Sequence, residues 1–132
     1  MASAQNDGTV VLASAARTAT TNSTEQENHY GRGVMVVMDL TTVAGGALTV
    51  TPVIQTRTLD SNVWKPIWTA STGIDATGAV AQYVYVMYPG AIDSDSTLKD
   101  MSGLPLPRNW RLSITHTTSQ SITYSATAYV IL

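Results

Sequence analysis

With 132 residues the chain has the length of one domain and can bury roughly two-thirds of its unfolded surface in one core. Seven Lys and Arg against nine Asp and Glu leave a net charge of −2, which argues against a nucleic-acid partner, because phosphate binding needs a basic face. The lack of any Cys removes disulfides, thiolate metal sites and cysteine nucleophiles from consideration.

Charged residues make up 12% of the chain beside 44% hydrophobic ones, about half the usual charged share. A domain so poor in charge tends to associate. Either a partner covers part of its surface, or Thr and Ser hydroxyls keep that surface hydrated. No apolar run approaches the ~20 residues that span a bilayer, so no membrane partner is expected. Residues 1–7 have neither the basic nor the apolar stretch of a secretory signal.

In chain order, residues 8–13 read as a short first strand, and the polar, Thr-rich stretch 17–25 as an edge strand or an arm laid across a neighbour. Gly31 and Gly33 bracket Arg32 and open the strongest strand, 34–40, with Val34, Val36, Met38 and Leu40 on one face and Met35, Val37 and Asp39 on the other. Apolar residues on both faces predict a strand covered on one side by a second sheet and on the other by a loop or a partner. After the turn 44–47, residues 48–57 return with Leu48, Val50 and Ile54 inward; Pro52 predicts an edge position or a bulge there, since it cannot donate to a ladder.

Residues 63–70 and 80–88 follow as strands, joined by a Gly- and Thr-rich link. The stretch 91–107 is the longest irregular segment, and loops of that length are often functional. Two clean alternating strands close the chain, one carrying Trp110, Leu112 and Ile114 inward, the other Ile122, Tyr124, Ala126, Ala128 and Val130. No helical periodicity is present. The fold class is therefore all-β: an antiparallel β-sandwich of about eight strands, jelly-roll or immunoglobulin-like in order, with little helix. Residues 1–30 form an N-terminal strand or arm and 31–132 the sandwich core, within a single domain.

Catalytic constellations are missing from this frame. His29 and His116 stand apart, too few for a zinc site, and His116 shares the parity of Ile114 as a half-buried imidazole. Asp93, Asp95 and Asp100 share one loop, but the calcium-loop pattern wants Gly and Glu where this chain has Leu98 and Leu104, so a solvated acidic loop is expected. Gly31-Arg32-Gly33 opens a strand, whereas phosphate loops open helices. Asp39 is the only acid in a well-defined strand, short of the pair that glycoside hydrolysis needs, and no Gly-x-Ser-x-Gly elbow occurs. The chain reads as not an enzyme, with no catalytic, cofactor-binding or metal-binding residue and no cofactor.

Trp110 belongs to the core by its parity. Trp64 and Trp68 share parity on one strand; they form either a stacking platform for sugars or fillers of a core or interface in a chain without Phe.

Several segments together resemble a family of small structural proteins encoded beside the capsid genes of tailed bacteriophages. They are residues 30–41 (Tyr-Gly-Arg-Gly-Val-Met-Val-Val-Met-Asp-Leu-Thr), 86–90 (Val-Met-Tyr-Pro-Gly), 106–111 (Leu-Pro-Arg-Asn-Trp-Arg) and 121–125 (Ser-Ile-Thr-Tyr-Ser). The resemblance implies a virion structural protein, most like a capsid cement (decoration) protein that binds the major capsid protein as a homotrimer on the capsid surface. Such a protein needs a stiff domain with few charges and segments able to add strands to neighbours; residues 2–30 are expected to contact the shell and to be removable from a folded sandwich. The alternatives are a neck or tail component of the same virion, or a carbohydrate-binding β-sandwich module contacting ligand through Trp64, Trp68 and the 91–107 loop.

Overall fold

The computed structural model describes residues 8–60, 62–92 and 98–132. The β-branched runs form the strands β1 (Gly8–Arg17), β2 (Thr21–Asn22), β3 (Gln26–Glu27), β4 (Gly33–Leu40), β5 (Thr49–Arg57) and β6 (Trp64–Thr69). After them come β7 (Ile74–Asp75), β8 (Ala81–Met87), β9 (Asp100–Ser102), β10 (Asn109–His116) and β11 (Ile122–Ile131). Among the described residues there is no helix.

Two sheets face each other. The first has the order β1-β11-β4-β8-β9; the second has β2-β10-β5-β6, with β3 also on β10 and β7 also on β5. The principal pairs are nested: β1 with β11, β2 with β10, β4 with β8, and β5 with β6, all antiparallel. A single long hairpin rolled into two layers has this nesting, so the protein is a β-sandwich with jelly-roll order. Among the described residues only β9, running parallel to β8, departs from the antiparallel rule.

The core lies where the alternation places it. Val34, Val36, Met38 and Leu40 of β4 meet Trp110, Leu112 and Ile114 of β10 and Tyr124, Ala126 and Ala128 of β11, all buried. With no Phe available, Trp110, Tyr85 and Tyr124 are the largest fully buried side chains.

Residues 8–30 form strands paired into both sheets. β1 pairs with β11 along its length and sends Leu12 into the core, while Ser23 exchanges backbone and hydroxyl hydrogen bonds with Leu112 (2.8 and 2.9 Å). β11 would otherwise be a bare edge, which explains why the polar, small-residue segment is held there. Residues 1–7 lie outside the described residues.

Pro52 also departs from expectation, since β5 is an inner strand flanked by β10 and by β6 and β7. Its carbonyl accepts from Ala70 (3.1 Å) on the β6 side. In an antiparallel strand a residue's N and O point the same way. The missing N–H therefore faces the gap between β6 and β7, where no ladder bond is lost. The 91–107 stretch is shortened by β9, whose Asp100 is buried: its Oδ2 accepts from the Ser71 N–H (2.6 Å) and hydroxyl (3.0 Å), tying the loop to the end of β6.

Three of the segments that carry the family resemblance, 30–41, 86–90 and 106–111, approach one another at one end of the sandwich, whereas 121–125 starts β11 at the other end, where Tyr124 pairs with Leu40. The Arg32 N–H donates to the Ile131 carbonyl (2.7 Å), the Leu106 N–H to the Arg32 carbonyl (2.9 Å), and the Asn28 amide to the Gly31 and Leu106 carbonyls (2.8 and 3.2 Å). Gly33 starts β4 against the Met87 carbonyl, and Gly90 turns the chain with φ of 77°.

Candidate functional site

Trp64 and Trp68 do not form a common platform. Opposite β5 the register runs Arg57 to Trp64, Thr56 to Lys65 and Gln55 to Pro66, then slips by one residue so that Ile54 faces Trp68. Ile67 is the extra residue of a β-bulge, and an odd insertion reverses which face the following side chains take. Trp68 thus turns inward, its ring edge-on to the buried Tyr85 at 6.4 Å, while Trp64 lies on the outer face of the second sheet.

That outer face is polar and organised. Trp64 and Arg57 make one cross-strand pair; Pro66, Gln55 and Arg111 make the row beside it. The Arg111 guanidinium lies over the Trp64 ring at 4.5 Å, and its Nε donates to Gln55 Oε1 (2.6 Å). Arg57 Nε donates to Glu25 Oε1 (2.9 Å), and Asn109 Nδ2 to Glu25 Oε2 (2.6 Å). The Arg57 hydrogen bond holds the Glu25 carboxyl below the usual range; burial opposes it, and the Asn109 hydrogen bond and the Arg57 charge add to the lowering. Sequence reasoning missed Arg57, Gln55 and Arg111. All three share the outward parity of their strands, but only the register brings them together.

The outer face of the first sheet is apolar instead. Tyr129, Met35, Val86 and Met101 form one row across four strands, and Val37 with Val84 sits in the next beside Thr127. All six of these apolar side chains are partly exposed, and none belongs to the core or packs against it. Exposed large apolar side chains also gather at the end where Arg32 and Leu106 meet. Six of the nine among the described residues are there: Tyr30, Leu59, Val63, Ile92, Leu104 and Leu132.

The remaining candidates do not converge. His29 is exposed, 3.5 Å from Glu27. His116 is half-buried at the opposite end, its Nε2 2.9 Å from the Tyr124 hydroxyl and its Nδ1 buried without a partner. Burial first, and the positive charge of Arg17 second, hold its pKa below the ordinary value; Arg17 itself lies over the Tyr124 ring at 4.5 Å. Asp100 is committed to Ser71 and to the N–H of Met101 (2.8 Å). Asp93 and Asp95 lie outside the described residues, and no group of three His, Asp or Glu placed to hold a metal occurs among those that are described.

No family model and no curated protein matches the chain. Among the solved structures that bear a distant likeness are the following two. One is the Clostridium thermocellum xylanase 10B comprising CBM22-1 and GH10 modules in complex with xylohexaose, 11% identical over 80% of this chain and 19% of that one, TM-score 0.47. The chain thus spans about a fifth of the xylanase's length. The other is the Yersinia pseudotuberculosis-derived mitogen, 15% identical over 94% and 87% of the two chains, also with TM-score 0.47.

Proposed function

We propose that this protein is a non-enzymatic virion component of a tailed bacteriophage, a cement protein that binds the major capsid protein on the capsid surface as a trimer. One observation carries the reading: the outer face of the first sheet, centred on Met35, Val37, Val84, Val86, Met101 and Tyr129, lies outside the core and partly open to solvent. A contiguous apolar face of this kind marks a surface that another chain covers. The low charged fraction supports it.

Quantitative mass spectrometry of purified virions tests the proposal. A cement protein is expected on the order of once per one or two capsid subunits, as closed trimers tiling a shell demand. A few copies per particle would make it a neck or tail component, and complete absence would end the phage reading. In the same assay Val84→Lys, on the outer face, is expected to abolish shell association while leaving the unfolding free energy within about 0.5 kcal/mol of wild type.

A further inference from the structure

The polar outer face of the second sheet has no role in the proposal above and does not depend on it. Its side chains are arranged in an uncommon way. Arg57 and Arg111 each spend Nε on an internal acceptor, Glu25 and Gln55 respectively. Among the described residues neither terminal pair of Nη atoms has a partner. The two forks sit on adjacent strands at diagonal positions, since Arg111 pairs with Gln55 and Arg57 lies two residues beyond Gln55 on β5. Diagonal neighbours of this kind lie about 7–8 Å apart.

A guanidinium fixed through Nε and open at its Nη pair offers the bidentate end that matches a carboxylate. Glu25 does not neutralise both forks, because its two oxygens are taken by Arg57 and Asn109. Among the described residues Arg111 has no acidic partner; it lies over the Trp64 ring and bonds Gln55, and burial lowers its pKa. The amide orientations leave Gln55 Nε2 as an open donor and Asn109 Oδ1 as an open acceptor. Trp64, on the edge strand β6, carries the Arg111 guanidinium over one face of its ring and adds the rest of its indole as apolar surface beside these groups. Carboxylate, hydroxyls and an apolar C–H face together describe one ligand class.

We infer that the outer face around Trp64, Arg57, Arg111, Gln55 and Asn109 is a binding site for an acidic glycan, with a pyranose carboxylate held by the Arg111 fork. The ring packs beside Trp64, and its hydroxyls meet Gln55 and Asn109. Glu25 is a positioning residue that holds Arg57 and Asn109 in place.

Isothermal titration of the full chain with hexagalacturonate, with its fully methyl-esterified counterpart and with sialyllactose tests the site. Saturable binding is expected to hexagalacturonate or to sialyllactose, which separates uronate from sialate, and no binding to the methyl ester. Trp64→Ala and Arg111→Gln are each expected to weaken binding roughly 10- to 100-fold, the loss typical of a charge-assisted contact. Arg111→Lys keeps the charge and loses the fork, and is expected to weaken it as well. Absence of binding to both acidic probes overturns the inference, as does equal binding to the methyl ester or wild-type affinity in Arg111→Lys. Since no virion is used, failure here leaves the cement reading untouched, and loss of that reading leaves this one standing.

Discussion

A methyl group placed on Gly33 would lie 2.0 Å from the Met87 carbonyl oxygen, which is backbone and cannot swing aside. Gly33→Ala is therefore expected to destabilise the fold by roughly 1–3 kcal/mol or more, read from urea unfolding. Gly45→Ala, where a Cβ meets nothing within 4 Å, is the control and is expected to change stability by less than about 0.5 kcal/mol. Equal stability of the two variants would remove close approach as the reason for glycine at the start of β4. His116 makes a second prediction at this scale. Its pKa is lowered in the folded state by burial and by Arg17, so the unfolded chain binds more protons between the folded value and the ordinary value of about 6.5. Stability is then complete above pH ~6.5 and falls as the pH drops toward the folded pKa. His116→Gln is expected to flatten that slope; an unchanged slope would assign it to other groups.

Among the elements, β1 decides whether the N-terminal segment is an appendage. Removing residues 1–17 takes Leu12 from the core and strips the β11 edge along Tyr124, Ala126 and Ala128. The shortened chain is expected to lose cooperative thermal unfolding and to aggregate through that edge. A truncated chain with the wild-type spectrum and midpoint would restore the arm that its polar composition predicts. The strands that alternate cleanly, β4, β8, β10 and β11, were legible because each has one buried face and period-two patterning reports which. What escaped was whatever depends on register. The bulge at Ile67 is one residue inserted between two tryptophans, and parity counting assumes no such insertion; Pro66 beside it was the available signal, since strand proline favours bulges. Pro52 misled for the reverse reason, because only the gap between β6 and β7 makes an inner proline harmless. β9 owes its place to Asp100 finding Ser71, a contact between distant segments that no local pattern announces.

At the scale of the whole molecule, the two outer faces divide the chemistry. One is apolar across four strands, the other carries guanidinium, amide and indole groups, and the large exposed apolar side chains are concentrated at one end. This asymmetry was invisible in composition, which averages over faces; the low charged fraction pointed to a covered surface without saying where. A protein built this way is suited to standing on one surface while presenting another, which is how a cement protein with an acidic-glycan site would work.

The nesting of the strand pairs also sets an order in time. β1 and β11 are partners although about a hundred residues separate them in the chain. At a synthesis rate of ~5–20 residues per second, β1 emerges roughly 5–20 s before the strand it must pair with. β4 waits as well, because β11 lies between it and β1. Through that interval the first sheet exists only as β4, β8 and β9, and β1 has nowhere to dock. Folding is thus deferred until translation has passed β11, and a ribosome that stalls before residue 122 leaves two strand edges open to every other nascent copy nearby.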